Sequence, residues 1–188
     1  VPKCIVHGHG GTLLQHLKEH QLHTNISSGD RVFYFTTCSW MMWNWLVSAL
    51  ATQATIMLYD GSPSYPDDTV LWRFANDEQF THFGTSAKYI ETLMKNNVKP
   101  RANFKLKNLK TICSTGSPLS PESYDFIYKN IGPVHLASIS GGTDIVSCFV
   151  LGIPTLPVRR GEIQGPGLGM AVEIWNDTGK VKRGRRGE

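Results

Sequence analysis

The sequence predicts an α/β fold: layered βαβ units around a parallel sheet, with the start of a β-rich subdomain at the C-terminal end. Three observations predict it. Short β-branched and aromatic runs alternate with stretches of helical spacing, the pattern of strands joined by crossover helices. The helical patterns stop after Ile145, and from Gly152 onward the chain is rich in Gly and Pro, as in short strands joined by turns. The balance of 40% hydrophobic and 18% charged residues over 188 positions excludes disorder and collagen-like repeats and allows a sizeable core. Residues 1–150 are therefore assigned to the α/β part and residues 151–188 to the β-rich part.

Taken in order, strands are expected at residues 3–7, 31–36, 55–59, 80–83, 109–114, 134–140 and 171–175. Helices are expected between them at 12–23, 41–52, 69–76, 86–97 and 120–130. The last of these has a clear start signal, with Ser120 as N-cap, Pro121 at the first helical position and Glu122 in the first turn. The densest apolar stretch, Trp40 to Ala51, is about twelve residues and carries Asn44, whereas a bilayer span needs about twenty. No membrane span is expected.

The net charge of +4 comes mostly from the run between Asp177 and Glu188, which holds Lys180, Lys182, Arg183, Arg185 and Arg186. No aromatic residue interleaves with these bases, so the run reads as a solvated, Gly-interrupted loop and no nucleic-acid partner is implied. Cys4, Cys38, Cys113 and Cys148 are far apart and contain no C-x-x-C pair, which excludes a zinc-ribbon spacing. Free thiols in a reducing cytosol are the simplest reading.

Several segments carry candidate chemistry. His16 and His20 stand four apart, a metal-ligand spacing, but the segment lacks the H-E-x-x-H order, so exposed helix histidines are expected. The stretch from Gly8 to Thr12 reads as a glycine-rich bend between a strand and a helix; it fails both the dinucleotide fingerprint and the P-loop pattern. Met41, Trp45 and Ala49 form a buried stripe at helical spacing, while Trp40 and Trp43 lie elsewhere on the wheel and are candidates to line a cavity. Two strand ends present small residues, Thr115-Gly116-Ser117-Pro118 and Ser138 to Asp144. Ligands of open parallel sheets bind just beyond such ends. A flat ligand would fit against the Gly backbone, with Asp144 free to hold a hard cation. The alternative is a pair of ordinary βα turns.

At these residues the chain resembles the adenylate-forming acyl-CoA synthetase superfamily. Val1-Pro2-Lys3 is similar to the end of the family's phosphate loop. The Ile5–Thr12 stretch resembles the strand and turn that follow that loop, and Trp40–Trp45 the aromatic motif beside the acyl pocket. Gly116-Ser117-Pro118 resembles the nucleotide-contacting turn, Ser140-Gly141-Gly142-Thr143-Asp144 the aromatic-Gly-x-Thr-Glu motif, and Gly165–Asn176 the strand that opens the next subdomain.

The resemblance implies the large N-terminal part of an adenylate-forming enzyme. It would activate a small carboxylate such as acetoacetate with ATP and Mg²⁺ and pass the acyl group to coenzyme A. It also implies roles for particular residues. Lys3 would place positive charge near the phosphates, Thr143 would bond a phosphate oxygen and Asp144 would bind Mg²⁺. Gly116, Ser117, Pro118, Ser138, Ile139, Ser140, Gly141 and Gly142 would form the nucleotide walls, with Thr143 beside them. Met42, Trp43, Thr115 and Gly141 would form the acyl pocket.

Three departures stand out: Ser117 for Glu or Ala, Asp144 for the longer Glu, and Ser140 for an aromatic. In relatives that activate acetate a Trp stands at the position of Gly141, so Gly141→Trp is expected to shift preference toward acetate. The family's Ser/Thr/Gly-rich loop segment would precede Val1. Its ribose-binding Asp, hinge and adenylation Lys would follow Glu188, so the chain is expected to be an internal segment, inactive alone.

Overall fold

A computed structural model describes residues 4–181. Its main sheet has five strands, all parallel: β1 (Arg31–Tyr34), β2 (Thr55–Met57), β3 (His82–Ser86), β4 (Thr111–Thr115) and β5 (His135–Ser138), in the order β2-β1-β3-β4-β5. The pairings keep one register across the sheet, for instance Val32 beside both Ile56 and His82, and Cys113 beside both Gly84 and Ala137.

Period-two alternation sends successive strand residues to opposite faces, and both faces are covered. Phe33, Phe83, Ile112 and Leu136 point into one core with α3 (Val70–Asp77), α4 (Ala87–Lys95) and α6 (Pro121–Asn130). Val32, Tyr34, Cys113 and Ala137 point into a second core with α2 (Met41–Ser48) and its 3₁₀ continuation, Ala49–Thr52. A four-residue helix, α5 (Pro100–Asn103), lies between α4 and β4. It escaped the sequence pattern because one turn has no periodicity to read.

A second, three-stranded antiparallel sheet follows: β6 (Ser140–Gly142), β7 (Ser147–Leu151) and β8 (Gly165–Pro166). Its first strand begins at Ser140, and its central strand, β7, ends at Leu151.

Three expectations for local structure are corrected. Cys4–His7 is exposed and not a strand, because no neighbouring strand takes up its backbone groups; Val6 is 90% exposed. The segment 171–175 forms no strand beyond a single antiparallel bridge from Trp175 to Val181. Gly10 and Gly11 are not in a bend: α1 (His9–Lys18) starts at His9 after an extended Gly8, and Thr12 bonds back to the Gly8 carbonyl through both its amide and its hydroxyl.

The largest correction concerns the histidines. α1 continues into a π turn, Glu19–His23, and His16, His20 and His23 are buried, not exposed. All their ring nitrogens but His20 Nδ1, which is buried without a partner among the described residues, contact groups inside the protein. His16 contacts the Ser48 hydroxyl and donates to the Val146 carbonyl; His20 contacts the same hydroxyl at 2.8 Å. His23 donates to the Gly152 carbonyl at 2.8 Å and accepts from the Leu168 amide at 3.0 Å. Among the described residues no three His, Cys, Asp or Glu side chains are grouped to hold a metal, and no helix is long and apolar enough to cross a membrane.

Candidate functional site

In the strand order β2-β1-β3-β4-β5 the chain turns outward one way from β1 to β2 and the other way from β3 onward. The crevice at the carboxyl ends of β1 and β3 is therefore left free by the crossovers. A cavity of about 720 Å³ opens there. Tyr34 ends β1 and Phe35 follows it, Thr85 and Ser86 end β3, Thr115 ends β4 with Gly116 to Leu119 after it, and Ser138 ends β5 with Ile139 to Thr143 after it. Ser39 to Met42, at the start of α2, close one side, and Cys148 of β7 and Ile163 another.

Local bonds hold these strand ends together. The Ile139 amide donates to the Ser114 carbonyl at 2.8 Å, and the Thr115 hydroxyl donates to the Ile139 carbonyl at 3.1 Å. Phe35 N–H donates to the Gly84 carbonyl at 2.9 Å. Gly84 is required here because a Cβ would overlap the Tyr34 ring, which crosses β3 on its way to the cavity wall. Gly116 turns the chain at φ +90°, a conformation open to glycine and costly for other residues. Ser86 caps α4, its hydroxyl accepting from Tyr89 N–H at 3.2 Å, so the positive end of that helix faces the cavity.

β6 and β7 form a hairpin whose four-residue loop, 143–146, carries Thr143 and Asp144. A bulge separates Ser140 from Gly141, and Val146 has a left-handed φ of +48°. His7 Nε2 lies 3.4 Å from the Thr143 carbonyl oxygen, bringing the chain ahead of α1 to the mouth of the site.

Among the described residues the lining carries no ionisable side chain other than Tyr34 and Cys148, and neither is available as an anion. Burial raises the Tyr34 phenol well above its usual value, and burial followed by the Glu19 carboxylate does the same to the Cys148 thiol. Burial also pushes the neighbouring Cys113 thiol up to about 12. These thiols stay protonated and are not nucleophiles. The cavity instead offers aromatic and Met surfaces, a set of hydroxyls and exposed glycine backbone. The buried Thr85 hydroxyl has no partner among the described residues and sits on the cavity wall. Such a lining suits a flat, polar-edged ligand and supplies dipoles.

The fold gathers most of the candidate residues here. Met42, Thr115, Gly116, Ser117, Pro118, Ser138, Ile139, Ser140, Gly141, Gly142 and Thr143 all line the cavity. Trp43 does not: it is half-buried on another face of α2, while Trp40 and Met41 take the lining positions. Asp144 stands one residue beyond the lining, exposed, with no hydrogen-bond partner among the described residues. Lys3 lies outside the described residues. Sequence reading missed Tyr34, Phe35, Thr85 and Ser86, because the rule that finds strand-end residues needs the strand order.

A parallel sheet covered by helices on both faces, with a glycine- and hydroxyl-lined crevice at its switch point, is the setting in which α/β folds bind nucleotides, and the chain belongs to the AMP-binding enzyme family, which matches residues 1–188. Within that family it is similar to acetoacetyl-CoA synthetases. It is 63% identical over 189 residues to the acetoacetyl-coenzyme A synthetase of Rhizobium meliloti (strain 1021), covering 100% of this chain and 29% of that protein. It is 56% identical to the acetoacetyl-CoA synthetase of Gallus gallus, covering 100% of this chain and 28% of that one. The solved structure of the acetoacetyl-CoA synthetase from Streptomyces lividans matches with a TM-score of 0.90 at 43% identity, over 96% of this chain and 29% of that one. The chain thus spans less than a third of the length of these relatives.

Proposed function

We propose that the protein activates acetoacetate with ATP to acetoacetyl-adenylate, releasing pyrophosphate, and then transfers the acyl group to the thiol of coenzyme A, releasing AMP. The observation that carries this reading is the convergence of the post-β4 turn and the post-β5 loop on one uncharged cavity, in a chain 63% identical to an acetoacetyl-coenzyme A synthetase.

In the first step a carboxylate attacks the α-phosphate of ATP. Both partners are anions, so the step needs charge compensation and fixed donors more than a proton acceptor. Gly116 to Pro118 and Ser138 to Gly142 are the proposed nucleotide walls, and Thr143 the donor to a phosphate oxygen. Met42, Thr115 and the neighbouring Trp40 and Met41 are the proposed acyl wall; Trp43 is dropped from it.

Mg²⁺ is commonly held by one or two carboxylates together with substrate phosphates. The exposed carboxylate of Asp144, without a partner among the described residues and beside Thr143, fits that mode, and Mg²⁺ there would neutralise phosphate charge. Lys3 remains a proposal from the resemblance. We assign residues 1–150 to the nucleotide-binding domain and 151–188 to the start of the β-rich subdomain. The free cysteines support a cytosolic setting.

The test is acid-dependent exchange of pyrophosphate into ATP by the whole native protein, with acetate, propionate, acetoacetate and a medium-chain acid compared. Fastest exchange with acetoacetate is expected. Fastest exchange with another acid would keep the chemistry and replace the substrate, and no exchange with any acid would overturn the reading.

A further inference from the structure

Glu19 is an ionisable side chain that the proposed chemistry does not use, and it is fully buried in the π turn. A buried carboxylate is costly unless its lone pairs are filled. Here donors from three elements fill them. Oε1 accepts from the Cys148 amide at 3.0 Å, from the Ser147 hydroxyl and from the Gln15 amide at 3.1 Å, and Oε2 accepts from the Trp45 indole N–H at 3.0 Å. An apolar side chain would fill the same space without the desolvation cost, so what the carboxylate adds is geometry.

The elements it joins are the two sides of the cavity. Trp45 anchors α2, whose Trp40, Met41 and Met42 form the apolar wall. Ser147 and Cys148 begin β7, directly after the loop that carries Thr143 and Asp144. His16, on the same helical face as Glu19, adds a bond to the carbonyl of Val146, the strained last residue of that loop.

We propose that Glu19 is a positioning residue: through Trp45 it sets the place of the acyl wall, and through Ser147 and Cys148 that of the hairpin loop bearing Thr143 and Asp144. The catalytic part of this inference rests on the adenylation reading given above; the geometric part does not. The two arms separate. Ser147→Ala removes a donor on the hairpin side only, and Trp45→Phe removes one on the α2 side only.

In the whole native protein Ser147→Ala is expected to lower kcat for acid-dependent pyrophosphate exchange about tenfold, leaving the KM for the acid within about twofold. Trp45→Phe is expected to raise that KM about tenfold while leaving kcat within about twofold. A merely structural role would lower thermal stability in both without parting kcat from KM, and that result would overturn the proposal. Glu19→Gln supplies the second readout. Its amide cannot accept from both arms, so exchange of the Cys148 and Trp45 indole N–H protons is expected to speed up by about tenfold or more at one or both. Unchanged protection at both would overturn the proposal. If the wild-type protein shows no acid-dependent exchange, the adenylation reading fails, and the Glu19→Gln exchange rates still decide whether Glu19 sets the hairpin and α2.

Discussion

Two glycines decide local geometry at the site, and each gives a prediction. At Gly141 a Cβ would run into the Ser147 carbonyl oxygen and lie 3.0 Å from the Cys148 Cα, because the bulge after Ser140 draws the β7 backbone in close. A side chain at 141 therefore points into β7, and the expectation that Gly141→Trp would switch preference to acetate is replaced. Gly141→Trp is expected to displace the hairpin and lower exchange with every acid alike; even Gly141→Ala should cost about 1–3 kcal/mol, read by thermal unfolding. At Gly84 the obstacle is a side chain, the ring of Tyr34, so the cost is conditional. Gly84→Ala is expected to destabilise by about 1–3 kcal/mol, and by much less when Tyr34→Ala is also present. A double-mutant cycle measures that difference; additive costs would show that the ring is not what fills the space.

At the scale of elements, caps and strand ends hold the site in register. Ser120 is the N-cap of α6, its hydroxyl accepting from Ser123 N–H at 3.3 Å, with Pro121 at the first helical position. Ser120→Ala is expected to cost about 1 kcal/mol, measured as a shift in the unfolding midpoint. This helix start was legible because capping is local: Ser, Pro and Glu in that order act on backbone groups only a few residues away. α1 shows the limit of the same reasoning. The spacing puts His16 and His20 on one helical face, yet polar residues on one face read as solvent-exposed, and nothing local marks Glu19 and His23 as joining them inside. Only the packing of α1 against α2, β7 and the segments around Gly152 and Leu168 supplies partners that make their burial affordable.

Across the whole molecule, buried imidazoles couple stability to pH. Burial, reinforced by the neighbouring His16, pushes His20 down to about 3, and burial, partly offset by Asp30, pushes His82 down to about 4. Both folded values lie below the unfolded value of 6.5, so the native state refuses protons that the unfolded chain accepts. Their stabilisation is fully present above about pH 6.5 and is lost as pH falls toward 4 for His82 and 3 for His20, at up to about 1.4 kcal/mol per pH unit for each group. Asp30 acts lower still. Burial raises its carboxyl, but the Lys110 ammonium 2.7 Å away and the Ser27 amide outweigh that, leaving it below 3.8; its contribution is lost only as pH falls through that lower value. Native-state hydrogen exchange of the β1, β3 and β4 amides between about pH 4.5 and 7.5 is expected to show opening free energies falling with pH. His82→Gln is expected to make that slope shallower; an unchanged slope would show that His82 is not a source of it.

The sequence by itself determined the α/β alternation, most strand and helix positions to within a few residues, and the two glycine-rich strand ends, since propensity, capping and turn chemistry act between near neighbours. The tertiary structure alone decided the strand order, and with it the cavity at the β1–β3 switch point and the presence of Tyr34, Phe35, Thr85 and Ser86 in its wall. It also decided that Trp43 faces away, that Gly141 is held by β7, and that Glu19 and three histidines are buried. These depend on contacts between residues up to 145 positions apart, as in the bond from Leu168 to His23. No local pattern carries the information about which distant donor will meet a given acceptor.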